Sequence, residues 1–330
     1  MKNIGLVGLG FIGKMHLQAY HSLENCRVAA ICTRSVGKDE EITSLFQGAF
    51  VSDYEDLLNR KDIDIIDICL PTFLHEAYII KAARAGKHII CEKPLTLSLE
   101  SAQRIFKEVQ DHGVRLFVGH VLRFWPEYKL IKSYSESDQL KDLEIVHAQR
   151  LGQAPAWSDW FRHPEKSGGA LFDLHIHDID FVSYLLGEVE SVYAAGSKNK
   201  YGAWDHIMTI LAFKNRSKAF VEASHRMPNG YPFTMSFRAQ AVQGTLDYHV
   251  AAGENIEQIN KQQFVYYNHE KKSSIDFKNE DAFQNQLAYF VECIETNQEN
   301  TVIPLEAVFY TLKLLKAIEA SLETGQKISL

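Results

Sequence analysis

The sequence predicts a two-domain protein: an N-terminal α/β domain with a doubly wound parallel sheet, then an α+β domain on a large, mainly antiparallel, open-faced sheet. Three observations carry this. Residues 1–120 alternate short apolar runs with helical patterns, a glycine-rich turn follows the first apolar run, and beyond about Trp125 extended runs succeed one another without helices between them. At 330 residues the chain also exceeds what one ordinary core organises. The boundary falls between 122 and 123, giving domains over 1–122 and 123–330.

In the first domain, strands are predicted at 3–7, 27–32, 64–69, 87–91 and 115–119, with helices at about 12–23, 38–46, 54–59, 73–85 and 98–112. Runs such as IDIIDICL are nearly all apolar, as strands buried on both faces require, and their alternation with helices implies right-handed crossovers between parallel strands. In the second domain, strands are predicted at 144–152, 190–197, 206–214, 217–226, 233–240 and 243–249. LAFKNRSKAFVEA reads as a hairpin with Asn215 and Arg216 near its turn. Helices are predicted at about 169–186, 281–296 and 305–323, the last with a return to the first domain left open.

Composition narrows the function classes. A net charge of −7 argues against nucleic acid or an anionic membrane surface as the main partner. No apolar run reaches the length of a membrane span. The start, MKNIGLVGLGFIGK, has the lysine and apolar run of a signal peptide but no small-residue cleavage site, and its periodic glycines read as a strand and turn. The five cysteines (26, 32, 69, 91 and 293) form no C-x-x-C pair and several lie in apolar runs, so they read as reduced thiols of a cytoplasmic protein.

Gly8-x-Gly10-x-x-Gly13, with Phe11 and Ile12 inside it, stands between the first strand and the first helix. In that context the first glycine makes the turn, the second lets backbone approach a pyrophosphate, and the third lets helix and strand pack closely, which is the Rossmann dinucleotide cradle. About twenty residues on, an acidic side chain would bind a free ribose 2′-hydroxyl, but no Asp or Glu occurs between Arg27 and Lys38. Arg34, flanked by Thr33 and Ser35, suits a 2′-phosphate instead, so NADP is favoured over NAD. A solvated loop cation is the alternative reading of Arg34.

In IICEKPL, residues 89–95, Lys93 follows a buried strand and precedes a proline. A surface loop is the plain reading of those seven residues alone. Ligands of open α/β sheets, however, bind outside the carboxyl ends of the strands, which places Lys93 toward the cofactor. In GGALFDLHIHDIDFVSYLLG, Asp173 and His177 are spaced i, i+4 on one helix face and make a candidate general-base pair, with Asp180 able to share that face. His175 points elsewhere, and because a helix cannot aim His175 and His177 at one ion, no metal is predicted.

With these pieces in hand, the chain resembles the Gfo/Idh/MocA oxidoreductases, the family of glucose–fructose oxidoreductase and inositol 2-dehydrogenase. The resemblance spans nearly the full length. It rests on the glycine motif, CLPTFLHEAYIIKAARAGKHIICEKP, GHVLRFWPEY, SGGALFDLHIHDID and the terminal EAVFYTLKLLKAIEASLETGQ. It implies an NAD(P)-dependent dehydrogenase or reductase moving a hydride between the nicotinamide and a secondary alcohol or ketone of a sugar, sugar derivative or inositol. Lys93, Asp173 and His177 become the catalytic set, with a cis Lys93–Pro94 bond turning the lysine inward, and the base role left open between Lys93 and His177. Leu70, Pro71, Thr72, His75, Glu92 and Arg123 are implied at the cofactor, and His120 beside the substrate.

Trp157, Asp159, Arg162 and Tyr231 are candidate substrate contacts, since aromatic and charged groups suit polyols. His175 departs from the small or apolar residue common in relatives and receives no role. The resemblance also implies a homodimer or homotetramer through the second domain's sheet. Two other functions stand beside this one: a glycosidase using transient NAD-dependent oxidation, and a non-catalytic dinucleotide-binding regulator.

Overall fold

The five predicted strands and one that was not predicted, β3, form six parallel strands: β1 (Lys2–Val7), β2 (Cys26–Cys32), β3 (Ala49–Val51), β4 (Ile65–Ile68), β5 (His88–Glu92) and β6 (Leu116–Gly119). This computed structural model describes residues 1–330 except 35–41, 43, 44, 156–158 and 254–258. Most of the helix predicted at 38–46, and the candidates Ser35 and Trp157, lie outside the described residues. Among those described, the strand order is β3-β2-β1-β4-β5-β6. The order reverses between β1 and β4, the switch point where such sheets bind ligands. Every residue of β4 and β6 is buried, as a sheet covered on both faces requires.

Helices α1 (Phe11–His21), α2 (Tyr54–Leu58), α3 (Thr72–Arg84) and α4 (Leu99–Asp111) connect these strands. Two of them start on side-chain caps. Asp53 Oδ1 accepts the Glu55 N–H at 2.9 Å, and Ser98 Oγ accepts the Ser101 N–H at 3.1 Å. A 3₁₀ turn (Val121–Phe124) and α5 (Pro126–Glu136) follow β6.

The chain forms two compact units, Met1–Trp125 with Glu280–Phe309 and Pro126–Asn279 with Tyr310–Leu330. This corrects the placement of the helix predicted at 281–296. As α7 (Ala282–Thr296) it belongs to the first unit, where its buried face carries Phe283 to 5.6 Å from the His16 ring and Phe290 to 5.0 Å from Phe117. Only the start of the last helix, α8 (Leu305–Thr324), lies there, with Phe309 and Phe106 rings 6.0 Å apart. From Tyr310 onward α8 packs in the second unit, where Ser321 Oγ accepts the Ala194 N–H at 2.9 Å.

The second unit is built on β7 (Ile145–Leu151), β8 (Val189–Lys198), β9 (Trp204–Phe213), β10 (Lys218–Ser224), β11 (Thr234–Ala241), β12 (Gly244–Ala252), β13 (Ile259–Asn268), β14 (Lys272–Ser274) and β15 (Ile328–Ser329). Their order among the described residues is β14-β13-β12-β11-β7-β10-β9-β8-β15, antiparallel except for the β7–β10 pair. The expected hairpin joins β9 to β10, with Arg216 at φ +75° and Asn215 Oδ1 accepting the Ser217 N–H at 3.0 Å. β13, β14 and β15 were not predicted, because one is largely polar and the others are two or three residues long.

Helix α6 (Ile176–Leu186) covers one face of this sheet over β7 and β10. Tyr193, Met208 and Ile210 are exposed on strands β8 and β9. Among the described residues no helix is long and apolar enough to cross a membrane.

Candidate functional site

The three glycines of the cradle have distinct physical reasons. At Gly8, φ is +93° and a Cβ would lie 2.4 Å from the Cys69 carbonyl oxygen. At Gly13 a Cβ would lie 2.2 Å from the Gly8 carbonyl oxygen, so helix and turn touch there. Gly10 is exposed, and a Cβ there would meet nothing within 4 Å. Gly10 is also the N-cap of α1, which no side chain caps. A pyrophosphate therefore fits: the space over Gly10 is open, and the start of α1 presents its amide dipole to it. Phe11 and Ile12, both half-buried, form that first turn.

At the end of β2, the Thr33 N–H donates to the Val51 carbonyl at 3.1 Å, and Arg34 beyond it is exposed.

Two further loops leave the same edge of the sheet. Leu70 and Pro71, half-buried, follow β4, and Thr72, buried, opens α3. After β5 the Lys93–Pro94 bond is cis, as the resemblance implied. From Ile89 to Thr96 every residue is buried except Lys93. His75, buried, lies between the loops: Nδ1 is 2.9 Å from the Pro94 carbonyl oxygen and Nε2 is 2.8 Å from that of Leu70. Both ring nitrogens face backbone carbonyls, one of which a neutral imidazole can donate to, so His75 sits as a bridge between the two loops. Burial holds its pKa below the usual imidazole value.

Glu92 is buried, and its Oε2 accepts the Lys93 N–H at 3.2 Å. His120 and Arg123 are buried around the 3₁₀ turn, and Arg123 Nη1 donates to the Val302 carbonyl at 2.7 Å.

In the second unit, Leu171–His175 is a π-helical turn that runs directly into α6. From Gly169 to Ser183 only Asp173 and His177 escape burial. The sheet side of this segment is fixed by three buried polar contacts. His175 Nε2 is 2.9 Å from Thr209 Oγ1, Arg150 Nε donates to Asp178 Oδ2 at 2.8 Å, and Thr311 Oγ1 donates to Asp180 Oδ1 at 2.9 Å. Asp180 therefore does not share the accessible face of His177, because its carboxylate is committed to α8. His175 faces the sheet, where burial pushes its pKa down to about 3 and keeps the ring neutral.

Asp173 instead has a partner that the sequence did not reveal: His225, just past β10, brings Nε2 to 3.4 Å from Asp173 Oδ2. Fifty-odd residues and three strands separate the two in the chain, so no spacing pattern marks the pair. Arg162 and Asp159 are exposed and pair with each other at 3.2 Å, and His163 Nε2 lies 3.3 Å from Asp159. Tyr231 is half-buried in the loop before β11, where its N–H donates to the Pro228 carbonyl at 3.0 Å.

A glycine cradle at the switch point of a parallel sheet, with the half-buried Lys93 on a loop at the same edge, is the arrangement of a dinucleotide-binding fold. The first unit's residues 2–120 match the oxidoreductase family with an NAD-binding Rossmann fold, and residues 128–247 match the C-terminal domain of that same family. The chain belongs to the GFO/IDH/MocA oxidoreductases.

It is 30% identical over 338 residues, 99% of this chain and 96% of the relative, to the uncharacterised oxidoreductase YrbE of Bacillus subtilis (strain 168). It is 30% identical over 239 residues, 69% of this chain and 70% of the relative, to myo-inositol 2-dehydrogenase of Thermotoga maritima. A solved levoglucosan dehydrogenase, in complex with NADH and L-sorbose, shares the fold with a TM-score of 0.82 at 22% identity, over 99% of this chain and 98% of that one. The protein is thus an NAD(P)-binding oxidoreductase, its cofactor domain the first unit.

Proposed function

We propose that the protein moves a hydride between NADP and a secondary alcohol or ketone of a sugar, sugar derivative or inositol. The observation that carries this is the pairing of the glycine cradle with Lys93, the one residue between Ile89 and Thr96 that is not buried. The relatives named for inositol and levoglucosan support the substrate class. The exposed Arg34, with no acidic residue between Arg27 and Lys38, supports NADP.

Gly8, Gly10 and Gly13, with the first turn of α1, hold the pyrophosphate; Thr33, Arg34 and Ser35 take the 2′-phosphate; Leu70, Pro71, Thr72 and Glu92 border the nicotinamide half, with Arg123 beside them. When bound, the nicotinamide supplies hydride donor or acceptor chemistry at its C4. The chain's own part is proton transfer and charge stabilisation. His177 takes the hydroxyl proton of the alcohol, Asp173 orients that imidazole, and the Lys93 ammonium stabilises the alkoxide charge that develops. His120, Trp157, Arg162 and Tyr231 serve as substrate contacts.

Two further points belong to this reading. All five cysteines are free thiols, which supports a reducing, cytoplasmic setting. The exposed Tyr193, Met208 and Ile210 support a homodimer or homotetramer formed through the second unit's sheet.

The test is a screen of inositols, aldoses and keto-sugars with NAD and with NADP, following reduced-nicotinamide absorbance. Turnover of a polyol or its ketone with NADP preferred is the expected result. Absence of turnover across all three classes with both cofactors contradicts the assignment.

A further inference from the structure

His16, one turn beyond Gly13 on α1, is completely buried, and its two ring nitrogens face carboxylates from different strands. Nδ1 is 2.8 Å from Asp67 Oδ2 in β4, and Nε2 is 3.3 Å from Glu92 Oε1 at the end of β5. An ionised carboxylate only accepts, so an imidazole that faces two of them is best suited by a proton on each nitrogen. The other titratable groups around it are Cys69, whose Sγ is 3.4 Å from Nδ1, and Tyr20, whose ring centroid is 6.5 Å away on the same helix; α7 contributes the neutral Phe283. Burial pushes the Cys69 thiol up to about 12, so it is uncharged near neutrality. Burial disfavours a charged His16; with Cys69 a neutral thiol, the Asp67 carboxylate hydrogen-bonded at Nδ1 is the neighbour that raises its pKa against that cost.

Glu92 is the far end of this chain and the near end of the lysine loop, since its other oxygen accepts the Lys93 N–H. The carboxylate also fills the space that Gly119 leaves empty: a Cβ there would lie 2.4 Å from Glu92 Oε1. In strict hydrogen-bond geometry both His16 Nε2 and Glu92 Oε1 are without a partner, as are both amide atoms of the buried Gln286. At this end the two groups lie within ion-pair distance, 3.3 Å, without a formed hydrogen bond.

We propose that His16 is a positioning residue: an imidazolium between Asp67 and Glu92 that fixes the Glu92 carboxylate and, through it, the Lys93 loop. It ties the helix that cradles the pyrophosphate to the loop that presents the ammonium. The consequence for turnover rests on the role of Lys93 proposed above, whereas the protonation state of His16 does not.

The test has two arms. In the first, ring-¹⁵N spectra of the full-length protein, assigned by comparison with His16→Gln, are followed from pH 5 to about pH 9. Both His16 nitrogens are protonated at pH 7; a neutral tautomer at pH 7 overturns the proposal.

In the second, His16→Gln and Gly119→Ala are assayed separately, the latter displacing Glu92 without altering His16. Each lowers kcat by ~10- to 100-fold, as misplacing a reacting group by about 1 Å does, while dinucleotide affinity changes less than about threefold. Unchanged kcat in either folded variant, or equal losses of kcat and affinity, overturns it. Should His16→Gln not fold, Gly119→Ala and the pH series of the wild-type histidine signals decide the matter. If Lys93→Ala remains active, the reaction assignment has failed while the spectra still decide the state of His16.

Discussion

Asp173 and His225 face each other across 3.4 Å, one half-buried on a π-helical turn and the other buried beyond β10. The carboxylate that the sequence pairs with His177 thus has beside it an imidazole that the helix does not supply. A carboxylate held from outside keeps its orientation independently of the helix that bears it.

His225→Ala is therefore expected to lower kcat by about tenfold and to shift the pH dependence of kcat/KM, because the charge and aim of Asp173 both change. Asp173→Ala is expected to lose more, on the order of 10²–10⁴-fold. Steady-state kinetics across pH check both; an unchanged pH profile in His225→Ala removes His225 from the proton-transfer machinery.

Arg34→Ala is expected to raise the KM for NADP at least ~10-fold while leaving that for NAD nearly unchanged, since a guanidinium–phosphate contact is worth ~1.5–3 kcal/mol. Arg34 is exposed, so the melting temperature should not move. Equal changes in the two KM values refute the NADP preference.

Acid stability reports on His175. Its folded pKa is about 3, below the unfolded value of about 6.5, so between those limits the unfolded chain binds a proton that the native chain does not. Its contribution to stability is complete above pH ~6.5 and declines by at most ~1.4 kcal/mol per pH unit as pH falls toward 3. Urea unfolding at a series of pH values checks this, and His175→Asn should flatten the slope. His75, also held low by burial, contributes in the same direction and leaves a residual slope.

The Arg150–Asp178 pair, buried on both sides, anchors α6 to β7. Asp178→Asn leaves the guanidinium buried without its counter-charge and is expected to cost about 3–5 kcal/mol, whereas replacing both by apolar side chains of similar size recovers most of that. Denaturant midpoints of the single and double variants decide it; equal losses in both would show that shape, not charge, sets the anchor.

Physical pattern decided what the sequence could say. Largely apolar runs such as IDIIDICL and HIICE are best satisfied between two covered faces, so the parallel sheet was readable, and so was the cradle at its first turn. Lys93 was readable because a lone cation ends such a run. The allegiance of α7 was not: its apolar face, Phe283, Leu287, Phe290 and Ile294, states that it packs but not on what. His16, Asp67 and Glu92 lie far apart in the chain, and only the packing of α1 against the neighbouring strands β4 and β5 brings them together. The π-helical turn at Leu171–His175 likewise arises from packing, since its residues keep a helical pattern.

The most direct measurement on the central claim is the turnover of Lys93→Ala, His177→Ala and the double variant, alongside their dinucleotide affinities. If both groups act on one proton-transfer step, each single change lowers kcat by ~10²–10⁴-fold, the double variant falls far less than the product of the two, and the cofactor binds as before. A Lys93→Ala enzyme that turns over at the wild-type rate with cofactor bound contradicts it.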